Sequence, residues 1–221
     1  MNRPYRRHIR RGTVATLTGA LTFLAVGTIA PLTAQAAVTC TTANTMTGQH
    51  NGAINVAGGQ TQCLDNATQT GEITVDPNGK LSVRKSTING AVTLFSGFSE
   101  FEFCGSKTVG GAISATGGRG SVTIGSIGDT GLPACDPNTV GGAVTLDANQ
   151  TGVTLARNQV DEAVTASGNL GGTKIAGNQI VGALTCTDNI AAPDNIGLLA
   201  QPMPNTVGGA RFGQTCLNGG F

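Results

Sequence analysis

Apolar and polar residues alternate along this chain in short runs. One run, Gly142-Ala143-Val144-Thr145-Leu146, returns almost unchanged at Gly90–Leu94, Gly111–Ala115 and Gly182–Cys186. Looser copies begin at Gly52, Gly71 and Glu162. The central aliphatics are Ile54, Ile73, Val92, Ile113, Val144, Val164 and Leu184, at steps of 19, 19, 21, 31, 20 and 20 residues. Nine residues beyond several of them lies a second alternating run: Phe101-Glu102-Phe103, Val122-Thr123-Ile124, Val153-Thr154-Leu155 and, more weakly, Thr173-Lys174-Ile175. Four residues before them lies a further aliphatic, at Ile88, Val109, Val140, Val160 and Ile180, and the same offset sets Val207 before Arg211. A period of two within each run predicts strands, and no run has the i, i+3, i+4 apolar spacing of a helix.

Strands this short cannot bury a face alone. Repeated at a fixed period, they are expected to stack as the coils of a solenoid. The chain therefore reads as all-β, a right-handed parallel β-helix of about 20 residues per coil, with neighbouring coils bonded about 4.8 Å apart. A β-sandwich of short strands is the competing architecture, and it supplies no reason for a sustained period. The one long step carries about ten surplus residues, in the loop-like stretch Gly128–Cys135, so an insertion is expected near 126–138. Glycine stands two before the central aliphatic in most copies. It implies a bend without room for a side chain or with positive φ, and Glu162 breaks that rule in one coil.

Two columns follow from this register. Asn138, Asn158, Asn178 and Asn205 all stand two residues before an aliphatic of the third run, so they are expected to stack as a ladder of side-chain amides. Cys104 and Cys135 both stand nine before a central aliphatic on neighbouring coils, within disulfide reach. By adjacency, Cys40 pairs with Cys63 and Cys186 with Cys216 at the two ends.

The first 36 residues read differently. Arg3, Arg6, Arg7, Arg10 and Arg11 precede an apolar stretch from Val14 to Ala30, and Ala34-Gln35-Ala36 has the small-x-small form of a cleavage site. This order predicts a signal peptide over 1–36 and a single exported solenoid domain over 37–221. Threonines and glycines interrupt the apolar stretch and Pro31 ends it, so no stable membrane span is expected after cleavage. All six cysteines follow the leader, consistent with three disulfides in an oxidising compartment. Removing the leader leaves eight basic against twelve acidic residues, about −4. With no basic stripe, nucleic acid is not an expected partner. No Cys-x-x-Cys pair occurs and His50 is the only histidine beyond the leader, so neither a metal nor another cofactor is expected.

Alternation sends the residues flanking each central aliphatic outward. Ala53, Ala91, Ala112, Ala143, Ala163 and Ala183 then lie beside Asn55, Thr74, Thr93, Ser114, Thr145, Thr165 and Thr185 on a flat, small, hydroxyl-and-methyl face. Thr74, Thr93, Thr145, Thr165 and Thr185 are the candidate binding face; it resembles the face of ice-binding solenoids, although threonine is also an ordinary solvent-facing strand residue. Glu72 and Arg211 are expected to interrupt it. Phe101 and Phe103 have the parity of core residues, whereas Phe95 and Phe98 fall at a corner. Asp76 and Asp147 share an offset three coils apart, Asp161-Glu162 is a local acidic pair, Asp129 and Asp136 flank the insertion, and Arg84-Lys85 is an isolated basic pair. None of these sets two carboxylates on adjacent coils at the spacing glycoside hydrolysis requires, so no catalytic residue is assigned.

The stretches Asn178–Cys186, Pro204–Gly209 and Gly213-Gln214-Thr215-Cys216 carry a resemblance. Together with the leader they resemble a group of small secreted actinobacterial proteins related in fold to pectin-lyase-like right-handed β-helices. In that group Cys would follow Gly-Gln directly; here Thr215 intervenes. The resemblance implies fold and export and brings no catalytic residues. The expected function is a non-catalytic structural or adhesion-type solenoid at the cell surface or in the extracellular matrix, with a cell-wall or extracellular polysaccharide or protein as partner. The alternative is a polysaccharide-binding or polysaccharide-cleaving protein of the pectin-lyase-like class.

Overall fold

Each repeat closes one turn, and each turn hands its backbone hydrogen bonds to the next. The computed structural model describes residues 38–126, 128, 135–196, 201–217 and 221. They form a parallel β-solenoid of about seven turns with about 20 residues per turn. The leader and most of the insertion fall outside the described residues, and the solenoid lies within one compact unit, Ala34–Phe221.

Strands are numbered β1 to β21 along the chain. The first face stacks eight: β2 (Ile54–Val56), β4 (Ile73–Val75), β7 (Val92–Leu94), β10 (Ile113–Thr116), β13 (Val144–Asp147), β16 (Val164–Ser167), β19 (Leu184–Thr187) and β21 (Arg211–Phe212). Its register pairs Ile54 with Ile73, then Val92, Ile113, Val144, Val164, Leu184 and finally Arg211. Ile113 pairs directly with Val144, so the register of the stack passes unbroken across the long step.

The second face stacks β5 (Lys80–Arg84), β8 (Glu100–Cys104), β11 (Val122–Ile124), β14 (Val153–Ala156) and β17 (Thr173–Ala176). The third stacks β6 (Thr87–Ile88), β9 (Lys107–Thr108), β12 (Asn138–Val140), β15 (Asn158–Val160), β18 (Gln179–Ile180) and β20 (Thr206–Val207). Strand β3 (Thr61–Gln69) is long enough to pair with both β5 and β6, so these two faces count as one sheet at that level. Strand β1 (Thr45–His50) pairs with β3 and forms the edge.

Val75, Leu94, Ala115, Leu146, Ala166 and Cys186 run in register beside the central column, and from Ile73 to Leu184 both columns are buried. Phe101 and Phe103 stack under Val122 and Ile124 on the second face. Burial of this continuous apolar lumen is the main stabilising term of the fold.

Three local expectations change. Val109 does not join the inward column: Thr108 pairs with Val140, and Val109 is exposed. The step of 21 there places one extra residue in the corner, where the Thr108 hydroxyl donates to the Gly111 carbonyl at 2.6 Å. Arg211 sits at the central register rather than on the outer face, and Phe212 takes the outward place beside Thr185. The Arg211 guanidinium donates to the Phe221 and Asn205 carbonyls at 3.0 and 2.8 Å, closing the end of the lumen. Phe98 is fully buried rather than displayed at a corner, while Phe95 is exposed.

From Gly71 onward the glycines two before the central aliphatic are required by close approach, whereas Gly52 has open space and positive φ. A Cβ on Gly142 would come 2.7 Å from the Ala112 nitrogen, and one on Gly182 would come 2.6 Å from the Ala163 nitrogen. Glu162, between them, keeps negative φ.

Candidate functional site

Three disulfides hold the coils. Cys40–Cys63 and Cys104–Cys135 lie on the outer side of the second face, with Cα atoms 5.9 and 5.3 Å apart. Cys186–Cys216, at 5.9 Å, lies inside the lumen, since Cys186 continues the Leu146–Ala166 column. The Asn138–Asn158–Asn178–Asn205 ladder is continuous: each Nδ2 donates to the next Oδ1 at 2.7, 2.9 and 2.8 Å. A second buried ladder, Asn149–Asn169–Asn189, ends on Gln214 with steps of 2.9, 2.8 and 2.8 Å. The sequence carried its signal, because each of these asparagines stands five residues after a central aliphatic.

The hydroxyl column on the first face is unbroken. Thr74, Thr93, Ser114, Thr145, Thr165 and Thr185 are successive register partners and all are half-buried. Beside them Thr116, Asp147, Ser167 and Thr187 form a second outward column, and Thr187 donates to the Ser167 hydroxyl at 3.1 Å. The two columns present hydroxyls at strand spacing in one direction and two-residue spacing in the other. At the first turns Asn55 bonds Asp76 at 3.2 Å and Thr74 bonds Asn55 at 3.1 Å.

The second face is chemically different and was not singled out by the repeat. Its outward residues include Lys80, Ser82 and Arg84 on β5 and Glu100 and Glu102 on β8, in direct register. Although they point away from the lumen, Ser82, Glu100 and Glu102 are 0, 8 and 4% exposed. Arg84 Nη2 lies 2.8 and 2.9 Å from the two Glu102 oxygens, and the Ser82 hydroxyl donates to Glu102 at 3.2 Å. Lys80 Nζ is 3.4 Å from Glu100. Burial pushes the Glu100 carboxyl above its ordinary value, against the opposing pull of Lys80. Two carboxylates in different surroundings on one strand are the raw material of acid–base chemistry. Here each is matched by a cation from β5.

The remaining candidates are dispersed. His50 Nε2 meets the Thr47 carbonyl at 2.8 Å, and Asp161 accepts from Gln159 at 3.2 Å. Asp136 and Glu162 are exposed, and Asp129 lies outside the described residues. Among the described residues no three His, Cys, Asp or Glu side chains group as metal ligands. None of the described helices is long and apolar enough to cross a membrane. Comparison with known proteins finds no matching family model, no matching curated protein and no matching solved structure.

Proposed function

We propose that this chain works outside the cell as a non-catalytic, disulfide-stapled solenoid that presents a fixed surface to cell-wall or matrix components. The observation that carries the reading is the hydroxyl-bearing first face. Its hydroxyl column keeps register through six successive strands, while the buried polar groups bond one coil to the next. A rigid periodic array suits contact with an extended periodic partner, because little ordering entropy is lost on binding. The test is retention of the purified chain on insoluble cell-wall material and on a glycan panel. Specific retention that falls when Thr93, Thr145 and Thr165 are together replaced by lysine supports the reading. Failure to bind any of these materials overturns it.

A second reading, a polysaccharide-binding or polysaccharide-cleaving protein of the pectin-lyase-like class, is favoured by the Glu100–Glu102 arrangement and by the resemblance of the final third of the chain. Turnover of a uronate polymer that is abolished by Glu100→Gln and by Glu102→Gln would place this reading first.

A further inference from the structure

Beyond residue 36 the chain carries twelve carboxylates and eight lysines and arginines, and the solenoid does not share them evenly among its faces. From three residues before each central aliphatic to four after it, the sequence holds Glu72, Asp76, Asp147, Asp161, Glu162 and Asp188. They line both margins of the first face. Glu72, Asp161 and Glu162 stand before its strands, and Asp76, Asp147 and Asp188 at or just beyond their far ends. Glu72, Asp161, Glu162 and Asp188 are exposed, and Asp76 and Asp147 are half-buried. The single cation in the same span is Arg211, whose guanidinium turns to the Phe221 and Asn205 carbonyls at the end of the lumen. Six carboxylates and seven cations are left for the rest of the chain beyond residue 36, so its net negative charge belongs to this one face.

These carboxylates make a charged surface and not a chelate, since among the described residues no three His, Cys, Asp or Glu side chains group as metal ligands. Asp76 accepts from the Asn55 amide and Asp161 from the Gln159 amide, both at 3.2 Å, and neither bond neutralises a charge. Between the margins runs the hydroxyl column. Phe95, 48% exposed, follows Leu94 as Asp76 follows its partner Val75, so the ring extends the outward line of Asp76 and Thr116. An aromatic face attracts a cation and offers a flat apolar contact to a sugar ring. Glu72 and Asp188 lie five strand steps apart on the stack, about 24 Å along the axis. A polyanion such as a uronate polymer meets like charge over that length, and a polycation meets opposite charge. Building on the surface role proposed above, we infer that the periodic partner of the first face is a hexosamine polymer with free amines, a polycationic glycan. Its ammonium groups answer the two margins, its hydroxyls the threonine column and its rings Phe95. A lysine-rich peptide answers the margins but brings no hydroxyls to the column.

The experiment measures binding of the disulfide-intact protein to four immobilised polymers of similar length: polyglucosamine, the same polymer after full N-acetylation, polygalacturonate and poly-L-lysine. Saturable binding to polyglucosamine is expected, weaker by about tenfold or more after acetylation, with none to polygalacturonate and weaker binding to poly-L-lysine. Raising the salt to about 1 M, where screening acts within about 3 Å, should remove most of it. Asp147→Asn, Asp161→Asn and Glu162→Gln together should lower the affinity for polyglucosamine by about tenfold. Asp136→Asn, which removes the same kind of charge away from this face, should leave it unchanged. Equal binding of the free and acetylated polymers overturns the inference while leaving the surface role of the first face standing. Binding to none of the four overturns the inference, and the surface role falls with it only if cell-wall material and the wider glycan panel are also unbound. Poly-L-lysine bound as tightly as polyglucosamine also overturns it, because charge alone would then account for the contact. The comparison of free with acetylated polymer uses the unaltered protein, so it decides the matter even where a variant folds poorly.

Discussion

The turns before the insertion and the turns after it close the same two corners with different side chains. After it, both corners are amide ladders. Asn138, Asn158 and Asn178 of the first ladder each donate along the axis and also to a carbonyl of the preceding coil, as Asn158 does to Ile124 and Asn178 to Leu155, both at 2.9 Å. Before the insertion the first corner is held by hydroxyls: Ser106 Oγ accepts from the Ser86 nitrogen, and Ser86 Oγ from the Ala67 nitrogen, each at 3.0 Å. A hydroxyl has one proton, so it can serve the backbone but cannot also extend a chain of side chains. The second corner ends at Gly118, whose nitrogen donates to Asn149 at 2.9 Å. A Cβ at Gly118 would collide with the ring of Phe98, which fills the space an amide would take. What the fold demands at a corner is an acceptor for the inward N–H and a filled volume. Which residue supplies them is free to vary.

The second corner gives the largest effects. Phe98→Ala is expected to cost about 4 kcal/mol by cavity formation, and Gly118→Asn alone about 2 kcal/mol by overpacking. Combined, the new asparagine enters the space of the lost ring and joins the ladder on Asn149. The double variant should then lose less than the sum by about 1 kcal/mol or more, measured by urea unfolding. Strict additivity would show that the ring and the amides are not alternatives. Next comes Asn158→Ala, expected to cost about 3 kcal/mol because it strips partners from Asn138 Nδ2 and the Ile124 carbonyl inside a buried network. Ser106→Ala, its counterpart in the earlier turns, should cost about 1 kcal/mol. Equal losses at the two positions would remove the distinction between ladder and isolated hydroxyl.

This contrast also explains what the sequence could display. The period, the central column and the first amide ladder were legible because Val, Ile and Asn recur at constant offsets wherever the lumen and corner repeat. The second ladder was equally periodic, at Asn149, Asn169 and Asn189, and only its offset had to be counted. The earlier turns were harder to read. Ser86 and Ser106 look like ordinary surface residues until the register places them inside. The one-residue corner extension at Val109 is invisible to a rule that counts back from Ile113. Glu100 and Glu102 were hidden for another reason: alternation with Phe101 and Phe103 sends them outward, which normally means solvent. Only their buried pairing with Lys80 and Arg84 distinguishes them, and that depends on which strands are neighbours.

Those ion pairs sharpen the comparison further, because both Lys80–Glu100 and Arg84–Glu102 tie β5 to β8 in the earlier turns. Glu100 has a raised pKa in the folded chain, so folding favours its protonated form. Its contribution is therefore fully present below the unfolded pKa and is lost as pH rises through the folded value. Glu100→Gln should flatten that part of the stability–pH profile, whereas Asn178→Asp, in the later turns, should introduce a new pH dependence where none is expected for an amide. The smallest effect belongs to the feature both regions share. Thr93 lies in the earlier turns and Thr165 in the later ones, yet both occupy the same outward column with half-exposed side chains. Replacing either by alanine should change stability by no more than about 0.5 kcal/mol, with a slight loss from the weaker strand preference of alanine. A loss well above that at Thr165 would make the column part of the scaffold. Unchanged stability together with reduced retention on cell-wall material would instead show that its hydroxyls face a partner, because a side chain that contributes little to folding can matter only through what it touches.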